Sequence, residues 1–237
     1  MARTVNEHEH NAKRSAILDA AEHLLLTKGY AQTAVQDVLD ALRMSKGAFY
    51  HYFESKPELV LAVVQRKTAA VEQRLRAIVA DRALSGRDKL LRHFAAVDDW
   101  KLSEGSVVSD LARAWYADDN AVVRDQLYRT GSRRFAPLLT QIIEQGVAEG
   151  EFTTRYPEQA ARMILCLRYD LGRAVAEALI AKDPSDELVR AAEATADAVE
   201  RLLGAKPGSF VARARAALTR WQAMSATNKT RARRRPI

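Results

Sequence analysis

Residues 33–56 read TAVQDVLDALRMSKGAFYHYFESK. Two short helical patterns, split by a tight break, lead straight into a third. Thr33 followed three residues later by Gln36 has the spacing of a capping box: a hydroxyl for the third backbone N–H, and an amide reaching back. Val35, Val38, Leu39 and Leu42 recur at i, i+3, i+4 and i+7, which makes one apolar helical face. Arg43-Met44 breaks that pattern, and Ser45 is suited to cap a second helix. That second segment, 46–52, is too short to stand alone, since isolated helices under about a dozen residues are marginal in water. Phe49 and Phe53 must therefore hold it to its neighbour. Lys46, Gly47, Ala48, Tyr50 and His51 are left facing out: a cation, two residues with little or no side chain, and two hydrogen-bonding rings. Such a face suits close approach to a polyanion. The stretch predicts a helix-turn-helix over 33–53 with a recognition helix.

On both sides of this element the pattern stays helical. Residues 1–11 are polar and are expected to be disordered, and the paired His8 and His10 lack a third metal ligand nearby. Residues 13–28 form the first helix, with Ile17, Ala20, Ala21, Leu24 and Leu25 on one stripe and Gly29 ending it. Lys13 and Arg14 stand at its start. Ser55-Lys56-Pro57-Glu58 opens a helix that runs to about residue 80, long enough to join two domains. Further helices are expected over 87–101, 104–117, 120–149, 157–181, 185–203 and 209–224, with Pro137 kinking the helix 120–149 by removing one backbone bond. No period-2 run of β-branched residues appears, so the fold class is all-α.

The 237 residues suffice for one or two cored domains. No apolar run approaches a membrane span and no signal-peptide pattern opens the chain. Cys166 is the only cysteine, which excludes an internal disulfide and a Cys-rich zinc site. A cytoplasmic protein without cofactor or metal is expected. The formal charge of +7 is unevenly placed: residues 213–237 hold eight Lys/Arg and no acid, leaving 29 basic against 30 acidic residues, a net of −1, elsewhere. Within the tail 227–237, Lys229, Arg231, Arg233, Arg234 and Arg235 stand without one acidic or large aromatic residue, so disorder and non-specific DNA affinity are expected there.

Catalytic motifs are missing: no Gly-rich phosphate loop, no H-E-x-x-H and no G-x-S-x-G. Asp98-Asp99 and Asp118-Asp119 are adjacent pairs that do not face one another on a helix, and read as solvated charges at helix ends. His23 reads as exposed or satisfied. The chain is not expected to be an enzyme.

The run Ser45-Lys46-Gly47-Ala48-Phe49-Tyr50-His51-Tyr52-Phe53, followed by Ser55-Lys56-Pro57-Glu58-Leu59, resembles the S-K-G-x-x-Y-x-Y/H-F…S-K-x-x-L signature of the TetR family of bacterial transcriptional regulators. Thr33 and Val35-Gln36-Asp37-Val38 match the helix before it. One departure is Arg43, where the family usually has Gly in the turn; a small local adjustment of the backbone is expected. The resemblance implies a three-helix DNA-binding domain over 11–71, joined by a long helix to a ligand-binding and dimerisation domain over 72–225, with a basic tail over 226–237. It implies that Lys46, Gly47, Ala48 and Tyr50 meet base edges or the groove wall. Thr33, Ser45, Tyr52 and Lys56 would hold phosphates. Gln36 reads a base unless it closes the capping box, and His51 faces either DNA or solvent.

By the same resemblance, a small-molecule ligand is expected among Phe94, Trp100, Trp115, Tyr116, Tyr128, Phe135 and Tyr169, with His93, Arg168 and Asp170 as polar company; aromatic walls with a few polar anchors are how such pockets are made. Residues 157–181, through Ile164, Leu165, Leu171, Gly172, Val175 and Leu179, and residues 185–203, through Leu188, Val189, Ala192, Ala196, Val199 and Leu203, would form a homodimer surface. The expected function is a homodimeric repressor released from operator DNA by a ligand. The alternatives are a DNA-binding protein without an inducer, or a helical ligand-binding protein or enzyme that has lost DNA binding.

Overall fold

The computed structural model describes residues 2–103, 121–181, 186–216 and 219. Among them the secondary structure is helix and turn without strand: α1 (Ala2–Gln32), α2 (Val35–Leu42), α3 (Lys46–Tyr50), α4 (Lys56–Ala80), α5 (Gly86–Ser103), α6 (Ala121–Ala148), α7 (Pro157–Ala181) and α8 (Asp186–Leu203), then a helical stretch over 211–216. None of these helices is long and apolar enough to cross a membrane. The predicted helix 104–117 and the basic tail 227–237 lie outside the described residues, as do Trp115, Tyr116 and Asp118-Asp119. The chain divides into two compact units, with the division falling inside α4 between Ala70 and Val71 and again inside α6 between Leu127 and Tyr128.

The first unit is built on α1–α3 and the first half of α4. Ile17, Leu18, Ala21 and Leu25 of α1 meet Val38 and Leu39 of α2, Phe49 and Phe53, and Leu59, Val60 and Val63 of α4 in one buried cluster. Phe49 and Phe53 are buried to within 1%, which is how a five-residue α3 is held despite its length. Salt bridges fasten α1 to α4: Arg66 reaches Asp19 and Glu22, each at 2.7 Å, and Lys67 joins Glu22.

Two sequence expectations are corrected in this unit. Helix begins at Ala2 rather than after a disordered stretch; residues 2–12 contain neither Gly nor Pro to interrupt it. Near its other end the helical backbone breaks at Gly29 (φ 78°, ψ 165°). The cap of α2 is displaced by one residue. Ala34 occupies the N-cap position and its backbone N–H donates to Asp37 Oδ2 at 2.7 Å. Thr33 instead turns its hydroxyl back onto the Gly29 carbonyl at 2.7 Å, and Gln36 donates to Asp40 at 2.7 Å.

The break between α2 and α3 is a Schellman turn. Met44 N–H donates to Leu39 O at 3.0 Å and Arg43 N–H to Asp40 O at 3.3 Å, with Met44 packed on the cluster that holds Leu39. Arg43 sits in the left-handed region, φ 49° and ψ 41°, the only non-glycine residue with positive φ among the described residues. The turn thus keeps its geometry and places Arg43 where glycine is favoured. Ser45 then caps α3, its Oγ accepting from Ala48 N–H at 3.3 Å. Ser55 does the same for α4, accepting from Glu58 N–H at 3.2 Å, while the Glu58 carboxylate accepts from Glu54 N–H at 2.6 Å.

In the second unit, Leu90, Leu139, Ile142, Ile143, Phe152, Ile164, Val199 and Leu203 form the main buried cluster. The start of α5 lies against the end of α6 so closely that a Cβ at Gly86 would sit 2.4 Å from Gly146 N, and one at Gly146 would sit 2.2 Å from the Phe152 ring. The polar groups trapped at this corner are satisfied. Buried Lys89 donates to Val79 O at 2.6 Å and to Gln145 Oε1 at 2.7 Å. Gln145 donates to Leu84 O, and Glu149 and Glu151 accept from the Gly86 and Arg87 N–H groups. Helix α6 runs unbroken through Pro137.

The apolar stripe expected to form a dimer surface is largely this chain's own core. Leu188, Ala192, Ala196, Val199 and Leu203 of α8 are buried, as is Ile164 of α7. Leu171 and Val175 pack against Leu188 and Ala192. Two antiparallel neighbours of this kind satisfy a stripe between themselves before any second chain is needed. Beyond α8, buried Glu200 holds the turn that leads to 211–216, accepting from Gly208 N–H and Phe210 N–H, both at 2.7 Å.

Candidate nucleic-acid interface

Helix α3 presents Lys46, Gly47, Ala48 and Tyr50 to solvent while Phe49 faces inward. Tyr50 is 45% exposed, unusual for a large ring in a folded unit. Lys46 Nζ stands 5.9 Å from the centre of the Tyr50 ring, leaving its ammonium on the outer face. Gly47 has ordinary negative φ, and a Cβ built on it would meet nothing within 4 Å. Neither backbone conformation nor internal packing requires glycine there, although glycine inside a helix is destabilising relative to alanine. The missing side chain leaves a flat surface open to an external body.

The other residues named from the sequence divide. Ser45, Ala48 and His51 are exposed, next to α3's exposed face. Gln36 is exposed and carries its Asp40 bond on the surface of α2. Tyr52 is half-buried. Thr33 is 5% exposed with its hydroxyl proton on Gly29 O, which ties the link before α2 back to α1. Lys56 too is engaged within the chain. Its Nζ donates to Tyr30 O at 2.6 Å and lies 4.0 Å from the Tyr30 ring centre. Burial there pushes its pKa down, only partly offset by the Asp37 carboxylate.

Sequence reasoning missed Asp37, which accepts from Ala34 N–H and from Lys28 Nζ at 2.7 Å. These bonds, the backbone one foremost, hold its carboxyl below the usual carboxylate range. An acid three residues after Ala34 was the available signal. Also missed was His10, whose ring lies 4.7 Å from that of Tyr52. Among the described residues no group of three metal-ligating side chains occurs.

In the second unit the expected aromatic set separates into local groups. Phe94 lies under the Arg168 guanidinium at 4.9 Å and beside Phe210 at 6.5 Å. Tyr128 and Tyr169 pack edge to face at 5.1 Å. Trp100 and Phe135 lie on the cluster of Val71, Leu75, Ala96 and Leu138. Arg168 is paired with Asp98 at 2.5 Å, both side chains mostly buried, and Asp170 turns instead to Arg173 at 2.9 Å. Asp98 and Asp99 are therefore not merely solvated end charges; Asp99 faces Arg74 at 3.8 Å. His93 is buried beside this pair, and burial, followed by the Arg168 charge, pushes its pKa down to about 4 against the upward pull of Asp98. It is neutral at pH 7.

A helix-turn-helix with an exposed, sterically open recognition helix, followed by a second helical unit, defines a DNA-binding transcriptional regulator. Residues 17–63 match the model described as bacterial regulatory proteins, tetR family, and residues 107–172 match a tetracyclin repressor-like C-terminal domain. The chain belongs to the TetR family, which is not a family of enzymes. It is 28% identical over 145 residues to the HTH-type transcriptional repressor NemR of Escherichia coli K12, covering 60% of this chain and 72% of NemR. The repressor DhaR of Mycobacterium sp. GP1 is 26% identical over 131 residues, covering 55% and 66% of the two chains. A TetR-family regulator from Pectobacterium atrosepticum shares the fold with a TM-score of 0.57 at 21% identity, over 83% of this chain and 94% of that one.

Proposed function

We propose that the protein is a homodimeric repressor that binds an operator through α3 of each subunit and leaves it when a small molecule occupies the second unit. The observation that carries the DNA side is Gly47: a helix accepts its least helix-favouring ordinary residue at an exposed position with no partner in the chain. A backbone brought within contact of a groove gives that residue a purpose. Lys46 is the candidate for bidentate reading of guanine O6 and N7, with Tyr50 and Ala48 beside it. Two such helices would occupy half-sites about 34–36 Å apart.

The ligand side is supported by Phe94, Tyr128, Tyr169 and Arg168 on α5, α6 and α7, all in the second unit. Helices α4 and α6 each contribute residues to both units, and α4, which follows directly on the recognition element, is the one through which a ligand would act. The ligand must bind the DNA-incompetent arrangement more tightly, since equal affinity for both shifts nothing. For dimerisation, exposed Met163 of α7 and Ala194 of α8 are available, the alanine allowing close helix approach. Binding of the full-length protein to DNA from its own promoter region tests the proposal. Lys46→Ala should weaken that binding by about 1–3 kcal/mol and relax preference at one base position per half-site. Unchanged selectivity across an operator mutant series would reduce Lys46 to a phosphate contact.

A further inference from the structure

The early start of α1 brings a residue to the recognition element that the helix-turn-helix itself does not contain. The ring of His10 is 4.7 Å from that of Tyr52, tilted by 34°, and 6.4 Å from that of His51. His51 in turn stands 5.8 Å from Tyr52 at right angles. Both histidines are exposed. Three rings with polar edges are thus gathered immediately after α3, two of them imidazoles. Helix α3 has only five residues, a length of about 7.5 Å at the standard rise. A major groove is about 12 Å wide and walled by phosphates. With the start of such a helix at the base edges, the residues after its end meet the wall.

We infer that His10 belongs to the DNA interface and that it and His51 form a pair of phosphate ligands whose protonation strengthens binding. A neutral imidazole offers a phosphate one N–H; an imidazolium offers two and a charge. The tilted contact with Tyr52 uses the face of His10, leaving its nitrogen-bearing edge to an external partner. A phosphate beside either ring favours its charged form. DNA binding therefore takes up protons, and by linkage the gain is present at low pH and lost as pH rises through the imidazole range. The other charged groups around the pair are Glu7, Lys13 and Arg14, within one turn of His10 on α1, and Glu54, two residues beyond Tyr52. Arg14 is placed over the Phe53 ring at 5.2 Å, and among the described residues no ion pair ties up either histidine.

The inference rests on the reading of α3 as the DNA-binding face, and one experiment separates the two. Affinity of the full-length protein for its promoter-region DNA and for a mixed-sequence duplex is measured against salt at about pH 6 and about pH 8. For the unaltered chain the slope of log K against log salt should steepen at the lower pH by up to about 0.9 per histidine charged in each subunit, on both DNAs. His10→Gln should remove part of the steepening, and His10→Gln with His51→Gln all of it. His10→Lys, with a permanent charge, should restore a steep slope at both pH values. Equal slopes for the unaltered protein at the two pH values would overturn the inference while leaving DNA binding by α3 intact. So would steepening that survives the double substitution, or that His10→Gln leaves whole. Absence of binding to either DNA at both pH values would overturn the reading of α3 itself.

Discussion

Lys56 Nζ lies 2.6 Å from the carbonyl oxygen of Tyr30 and 4.0 Å from the centre of its ring, joining the first residue of α4 to the end of α1. A charge-assisted bond and a ring contact at one ammonium fix how α4 leaves the recognition element. Lys56→Met should therefore lower stability by about 1–3 kcal/mol, seen in urea unfolding, and leave the salt slope of DNA binding unchanged. An unaltered unfolding midpoint with a slope lower by about 1 would return Lys56 to the phosphate contacts.

Arg43 occupies a left-handed position that costs an L-residue roughly 1–2 kcal/mol. Arg43→Gly releases that strain, and the greater freedom of glycine in the unfolded chain takes back part of the gain. A net stabilisation of about 0.5–1 kcal/mol is expected, measured as a higher melting temperature. A lower melting temperature would mean that the Arg43 side chain contributes more than its backbone costs.

Gly47→Ala separates stability from recognition. The added methyl meets nothing in the chain, so the helix should gain about 0.5–1 kcal/mol. Operator affinity should nevertheless fall by about 1–3 kcal/mol, the usual scale for a group forced into a packed contact. Calorimetry and operator titration on the same preparation check both halves; unchanged operator affinity would remove Gly47 from the interface.

Glu22 gives the first unit a pH dependence. Burial pushes its pKa up, but hydrogen bonds from Lys67 and Arg66, with their charges, outweigh burial and hold it below its ordinary 4.5. A carboxyl depressed in the folded state contributes stability that is complete above 4.5 and is lost as pH falls through the folded value. Glu22→Gln should flatten the decline of stability on acidification below that point. An identical acid limb in both proteins would show that the cluster with Arg66 and Lys67 contributes nothing to it.

Glu200 is 3% exposed and accepts two backbone N–H groups. Glu200→Gln keeps the shape but surrenders the charge, and should cost about 1–3 kcal/mol in thermal unfolding. DNA affinity at low temperature should be unaffected. Loss of DNA affinity without loss of stability would give this turn a role in recognition.

The helix-turn-helix was legible because its signal is local: spacing of apolar residues, a serine cap and a pair of phenylalanines all act within about twenty positions. The residues whose surroundings were not legible are those whose partners lie elsewhere in the chain. Lys56 looks like an exposed polar residue until Tyr30 is brought beside it. The apolar stripe of α8 is genuine, but periodicity reports that a face is covered and not by which chain. Asp98 looks solvated on its own helix and is claimed by Arg168 seventy residues later. His10 carried no local pattern, and only the uninterrupted course of α1 takes it to Tyr52.

The close approach of Gly86 to Gly146 bears on how such a chain can change over generations. A side chain at the first position strikes backbone, and one at the second strikes an aromatic ring, so relief at either demands movement of something besides the altered residue. Routes made of single steps are closed in both directions, and relaxing one position does not open the other. Descendants of this sequence are expected to vary around that corner and to inherit its two glycines together.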